Sequence, residues 1–222
     1  MRTALKNEEL RWYLGIVLAA VLLVAGNLYR FYGTVGQALR MSFFQVSSII
    51  TTTGFATADF TLWPQFSQHV LVLLMIFGAC AGSTGGGLKI SRLIILAKSF
   101  TCEIRKMIHP RMVPVIRMDG KGLAHETIQG TRVYFTIYML IVFASTLLLS
   151  LDNFDLTTNL TAELACFNNI GPGIGLVGPM ANYSLYSPFS TLLLSVNMLL
   201  GRLEIYPILV LFSPSLWKRA AM

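Results

Sequence analysis

The chain has 222 residues, 55% of them hydrophobic and only 12% charged, with a formal net charge of +7 and a mean hydropathy of +0.65. A soluble domain carries about a quarter charged residues, so this balance excludes an ordinary soluble globule, and the apolarity excludes a disordered chain. The basic excess does not point to nucleic acid, because nine of the 17 Lys and Arg fall between Lys89 and Arg132, beside apolar runs, where they read as a topology signal. Cys80, Cys102 and Cys166 are too few and too widely spaced for a disulfide framework or a metal site.

The first apolar run, Trp12–Leu28, is long enough to span a bilayer and exceeds the core of a cleavable leader. Residues Gln37–Ile50 form a shorter apolar stretch, too short to span and suited to a re-entrant helix. It leads into Thr51-Thr52-Thr53-Gly54-Phe55 and a polar turn through Asp59 and Pro64. A third run starts at Phe66, breaks at Ala81-Gly82-Ser83-Thr84-Gly85-Gly86-Gly87, resumes at Leu88 and fades by Phe100. So many glycines cannot sustain a regular helix. Residues 101–131 are a basic linker holding Pro110 and Pro114.

A second set follows. Val133–Leu151 is a full-length span, Leu156–Phe167 a short helical stretch, and Asn168-Asn169-Ile170-Gly171-Pro172-Gly173 a Gly-containing segment. A last apolar run covers Ser187–Phe212, and Lys218-Arg219 lie near the end. The order of span, short helix, Gly segment and span thus occurs twice. An offset of 117 residues places Gly54 on Gly171, Thr52-Thr53 on Asn169-Ile170, and Gly85 on Arg202. Four crossings and two re-entrant segments accommodate every run. Residues 98–131, Lys218-Arg219, and Arg2, Lys6 and Arg11 predict a cytoplasmic linker and two cytoplasmic termini, which leaves Asp59, Asp152 and Asp155 outside. Arg30 and Arg40 oppose that rule as a minority.

Backbone at membrane depth must be satisfied internally or line a wet cavity. A short helix followed by Thr-Thr-Gly suits a cation filter, because carbonyl oxygens can replace the hydration shell of K⁺ and glycine permits the dihedrals that aim them. The alternative is an interfacial loop. The glycine-rich break suits a flexible intramembrane loop, or close helix contact through small residues. Its run Gly82-Ser83-Thr84-Gly85-Gly86-Gly87-Leu88-Lys89 narrowly misses a phosphate-binding loop, with Leu88 inserted before the Lys and no Ser or Thr after it. Arg202 lies within the last apolar run, where a cation is costly unless it faces protein or water. It suits either a barrier to cations below a filter or a structural ion pair, although Glu204, two residues on, points elsewhere on a regular helix. Phe43, Phe44 and Phe55 are expected to pack around the filter, His69 to be interfacial, and Glu163 to add field at the outer mouth or to pack. His109 and His125 fall in the linker, and no nucleophile–base constellation predicts an enzyme.

Four motifs together carry a family resemblance: Thr51-Thr52-Thr53-Gly54-Phe55-Ala56, Gly78–Lys89, Asn168–Gly173, and Gly201-Arg202-Leu203-Glu204-Ile205-Tyr206-Pro207. They resemble the TrkH-type potassium-uptake proteins of the Trk/Ktr/HKT superfamily, and the match covers essentially the whole chain. It resembles the third and fourth of that family's four membrane–pore–membrane repeats. The resemblance implies an all-α membrane protein of two membrane–pore-helix–membrane repeats with re-entrant filter loops. The first repeat would be residues 1–100, with filter 51–55 and gating loop 78–89. The linker would be 101–131, and the second repeat 132–222 with filter 168–173.

The resemblance further implies a K⁺-conducting subunit in the bacterial inner membrane. Thr52, Thr53 and Gly54 with Asn169, Ile170 and Gly171 would form the filter, with K⁺ at the carbonyls of Thr52, Thr53, Asn169 and Ile170. Gly82, Ser83, Thr84, Gly85, Gly86 and Gly87 with Arg202 would form the gate. K⁺ would be cargo, and no cofactor is expected. The implied partners are membrane lipid, a second copy or another chain supplying two more repeats, and a cytoplasmic nucleotide-binding regulatory subunit docked near Arg105, Lys106, Arg111, Arg117 and Lys121. A half-length subunit that dimerises and a non-conducting piece of a longer protein both fit this reading.

Overall fold

Asn7 opens the first helix. The computed structural model describes residues 7–83, 85–109, 111 and 115–203. Helix α1 spans Glu8–Tyr32; the Asn7 side chain accepts from the Leu10 N–H at 2.9 Å, and Glu8 and Glu9 complement the positive helix end. Gly33, at φ 71°, closes it with its N–H on the Tyr29 carbonyl. At 25 residues the helix reaches about 37 Å, enough to cross a bilayer core.

Helix α2 (Val35–Ile50) folds back along α1. Helix α3 (Gln65–Ile76) follows a turn in which the Asp59 carboxylate accepts from the Thr61 N–H at 3.0 Å. The chain leaves helical geometry at Phe77 and resumes as α4 (Ile90–Ile108). A two-residue hairpin, β1 (Arg117–Met118) and β2 (Lys121–Gly122), interrupts the basic linker. Helix α5 (His125–Leu149) runs back, α6 (Leu156–Phe167) is short, and α7 (Pro188–Arg202) closes the described chain. Helix α1 contacts α2, α3 and α4, while α6 lies between α5 and α7 and touches α3.

Polarity is inverted relative to a water-soluble bundle. Leu14, Leu18 and Leu22 form an exposed row at i, i+4 spacing on α1, and Leu140, Phe143 and Leu147 form one at i, i+3, i+7 spacing on α5. Gln45, Asn159, Glu163, Asn168 and Asn197 are buried beside the apolar core of Val24, Leu28, Ile49, Leu71, Tyr138 and Phe167. Lipid rather than water suits that outer surface.

The structure differs from the sequence expectation in two places. Helix α5 begins at His125, about two turns before its apolar run and inside the stretch read as linker, because hydropathy marks bilayer depth and not helix length. Helix α4 likewise runs on to Ile108. Among the described residues, the segments Glu8–Tyr32 and His125–Asp152 are long and apolar enough to cross a membrane, and the two closing spans are the other crossings the sequence predicts. The first closing span is split by its glycines, and the second is described only as far as Leu203. The rest of the Ser187–Phe212 run, Glu204 and the terminal Lys218-Arg219 lie outside the described residues, as do Arg2 and Lys6.

Candidate functional site

Helices α2 and α6 end in the same backbone turn. The Thr51 N–H reaches the Ser47 carbonyl at 3.1 Å, and Asn168 reaches Leu164 at 3.1 Å. Thr52 bonds Ile49 at 3.0 Å, and Asn169 bonds Cys166 at 3.0 Å. Thr53 and Gly54 share the Ser48 carbonyl at 2.9 and 3.4 Å, and Ile170 and Gly171 share that of Ala165 at 2.8 and 3.4 Å. Thr52 and Asn169 both sit in the left-handed region, at φ 55° and 56°. Asn tolerates that region, but for a β-branched Thr it is an outlier, and such strain gathers at functional sites.

The two turns touch. A Cβ on Gly54, whose φ is +79°, would run into the Ile170 carbonyl and lie 3.3 Å from Pro172 Cδ. Of the sequence-predicted filter residues, Thr53 and Gly171 are exposed, Thr52, Gly54 and Asn169 half-buried, and Ile170 buried. Each turn also has a support from the closing span of its own repeat. A Cβ on Gly85 would lie 2.9 Å from Thr52 Oγ1, and Asn169 Nδ2 donates to the Met198 carbonyl of α7 at 3.0 Å. Tyr183 donates its hydroxyl to the Gly171 carbonyl at 2.7 Å.

Between α3 and α4 the glycine-rich segment forms a loop with a closed neck. Gly78 N–H bonds the Leu88 carbonyl at 2.8 Å, and Leu88 N–H bonds Ile76 at 3.2 Å. Gly86 and Gly87 are buried against Asn168, and a Cβ on Gly86 would strike the Asn168 carbonyl. Ala81, Gly82 and Ser83 are exposed. Lys89 Nζ donates to the Ser83 carbonyl at 2.8 Å and also to that of Gly85. This lysine therefore satisfies loop carbonyls, which is a structural use of the residue that gave the run its phosphate-loop look. Thr84 lies outside the described residues.

Asn168 is the junction of these parts and is fully buried. Its Nδ2 donates to the Met75 carbonyl at 2.8 Å, at the end of α3, where the helix break leaves carbonyls without helical donors. Tyr138 of α5 hydrogen-bonds the same amide at 3.0–3.2 Å. Nearby, Glu163 is fully buried, with both carboxylate oxygens 2.9 Å from Asn197 Nδ2. The same amide nitrogen lies 2.8 Å from Ser145 Oγ. Glu163 thus faces the α5–α7 packing and not an open mouth.

Arg202 occupies the last turn of α7 and is exposed. Gly201 beside it packs so closely on α6 that a Cβ would enter the Phe167 carbonyl. Phe43, Phe44 and Phe55 lie beside the first turn, but the rest of this chain does not cover them. They are 61%, 39% and 72% exposed and line an open cleft of about 530 Å³ with Thr51 and Thr53, because α2 turns that face away from the core. His69 is exposed, with Nδ1 2.7 Å from the Gln65 carbonyl. His109 and His125 are exposed, and Arg132 pairs with Glu103 at 2.8 Å. At the end of α5, the Asp152 carboxylate accepts from the Ser187 N–H at 3.1 Å. The Thr158 hydroxyl holds the carboxyl of Asp155, the N-cap of α6, below the usual carboxylate range.

Sequence reasoning assigned no role to Glu9, Tyr138, Tyr183 or Asn197. Asn168 opened the filter stretch 168–173 but was not among the residues named as binding the ion. Its polarity at the end of an apolar helix was the available signal. Glu9 offered only its place beside a span, and its role depends on a contact across more than seventy residues.

The profile of the family described as "TrkH: Cation transport protein" matches residues 12–219. The "Trk system potassium uptake protein TrkH" of Salmonella typhimurium is 34% identical over 96% of this chain, which covers 44% of that relative. The "Trk system potassium uptake protein TrkG" of Escherichia coli is 32% identical over 98% of this chain and 45% of its own length. The crystal structure of the potassium transporter TrkH from Vibrio parahaemolyticus superposes with a TM-score of 0.87 at 32% identity, over 96% of this chain and 45% of that one. The chain thus spans a little under half the length of the curated relatives it matches.

Proposed function

The chain belongs to the TrkH family of cation transport proteins, and on that premise we propose that it supplies two filter segments of a pathway for K⁺ uptake across the bacterial inner membrane. One observation carries this reading: two turns with the same hydrogen-bond pattern, at the ends of two short helices, meet at Gly54 and Ile170. In this reading α2 and α6 are pore helices. The carbonyls of Thr52, Thr53, Asn169 and Ile170, with the glycines Gly54 and Gly171, replace part of the ion's hydration shell. The loop holding Gly82, Ser83, Gly85, Gly86 and Gly87 lies beneath Thr52 and gates the path, with Arg202 as a cationic barrier. Thr84 belongs to the same loop by sequence. Passage is passive, and the chemistry is transport rather than catalysis.

Two segments enclose a path on two sides only. A second copy, or a chain carrying further repeats, completes it. The chain's coverage of 44% of its relative favours that incompleteness. The basic face holding Arg105, Lys106, Arg111, Arg117 and Lys121 is the surface for lipid headgroups and for a cytoplasmic nucleotide-binding subunit, with both termini on that side.

Rb⁺ flux into liposomes holding only this chain, with Na⁺ as competitor, tests the reading. Selective flux that Gly54→Ala abolishes and Arg202→Ala raises is the expected result. Equal Rb⁺ and Na⁺ flux through the chain and through Gly54→Ala overturns the filter assignment. No flux from folded protein identifies a half-pore, and co-reconstitution with the missing repeats must then restore it.

A further inference from the structure

The exposed half of the glycine-rich loop is held from outside the loop. Glu9, in the first turn of α1, is 9% exposed. Its Oε1 accepts from the Ala81 N–H at 2.6 Å and from the Ser91 N–H at 3.1 Å. Ala81 begins the loop's exposed tip, and Ser91 lies in the first turn of α4. One carboxylate oxygen therefore ties the loop tip to the start of α4. Lys89, 8% exposed, binds the carbonyls of Ser83 and Gly85 from the other side. A segment of Ala, Ser and Gly has little side chain with which to hold its own shape. Its Ala81 N–H is met by a buried acid and its Ser83 and Gly85 carbonyls by a buried base, and hydrogen bonds to charged groups are the stronger kind.

The residue before Glu9 faces another partner. The Glu8 N–H donates to the Asp119 carboxylate of the linker hairpin at 2.7 Å. Glu8 also pairs with Lys98 of α4 at 2.5 Å, and Lys98 donates to the Arg117 carbonyl at 2.7 Å. The first turn of α1 thus grips the loop with one acid and the basic linker with its neighbour.

We propose that Glu9 is the positioning residue of the glycine-rich loop, a carboxylate latch that fixes the loop tip to the first turns of α1 and α4. Its effect on ion flow rests on the reading of that loop as the gate. Breaking the latch frees the loop tip at Ala81 and Gly82 while the Gly78–Leu88 neck stays closed.

Hydrogen–deuterium exchange of the full chain in lipid nanodiscs tests this directly. Glu9→Ala is expected to speed exchange of peptides covering 79–91 by about tenfold or more, the factor for losing a hydrogen bond to a charged group. Peptides of α6 should not change. Glu9→Gln keeps an acceptor oxygen and loses the charge, so a smaller rise is expected, and it serves if the alanine variant does not fold. Unchanged exchange at 79–91 in both variants overturns the latch. Rb⁺ flux of the conducting assembly separates the two readings. Faster exchange with raised flux is the expected pair, and faster exchange with unaltered flux upholds the latch and overturns the gate.

Discussion

The turn after α2 and the turn after α6 share one backbone and live in different surroundings. Thr51 and Thr53 stand exposed beside an open cleft, bonded to each other through their hydroxyls at 2.8 Å. Their counterparts Asn168 and Ile170 are buried under α3, α5 and the glycine loop. The closing spans differ as well: the first breaks at Phe77, while the second runs as α7 through the matching depth. Backbone geometry is therefore set by the helix end and one left-handed residue, whatever side chains follow. Packing is what separates a turn that anchors its neighbours from one that presents a face.

The largest expected effect opposes the two glycines. Gly54→Ala drives a methyl into the Ile170 carbonyl at an unfavourable φ, and should cost about 3 kcal/mol or more. Gly171→Ala meets open space and carries only the strain of its φ of +107°, about 1–2 kcal/mol. Thermal unfolding in nanodiscs measures both, and equal losses would break the claim that the turns are locked at Gly54. Next comes the pair Asn168 and Thr51. Asn168→Ala leaves the Met75 carbonyl and the Tyr138 hydroxyl without that amide, at about 2–3 kcal/mol. Thr51→Ala removes bonds on an exposed surface and should cost under about 1 kcal/mol.

The smallest effect compares the starts of the two short helices. Asp155 caps α6, accepting from the Thr158 N–H at 3.0 Å, whereas Thr34 makes no side-chain cap bond on α2. Asp155→Ala should cost about 1 kcal/mol and Thr34→Ala only a few tenths. The Asp155 carboxyl is held below its ordinary range by the Thr158 hydroxyl. Its contribution is therefore full above the unfolded carboxylate pKa and lost as pH falls through the lower folded one. The stability gap between wild type and Asp155→Ala should close in acid, and a gap constant with pH would remove the charge from the cap.

Much of the arrangement was legible locally. The short helix Leu156–Phe167 has the bounds its hydropathy predicts, and the 117-residue offset carries Thr52 onto Asn169, the two left-handed residues. Glycine density marked the break after α3. The exposure of Phe43, Phe44 and Phe55 was not legible, because apolar character is shared by core, lipid face and interface. Glu163 was no easier: its burial depends on Asn197, 34 residues away.

The membrane class, the short helix after α5 and the glycine-rich stretch where regular helix stops are legible in the chain itself. Those follow from composition, period and backbone propensity, which act over a few residues. Packing between distant segments brings Gly54 to Ile170, Asn168 to the end of α3, and Glu9 to Ala81. Each of those contacts joins segments far apart along the chain. Buried donors and acceptors take whatever partner the packed helices bring within about 3 Å, and no local pattern records which partner that is.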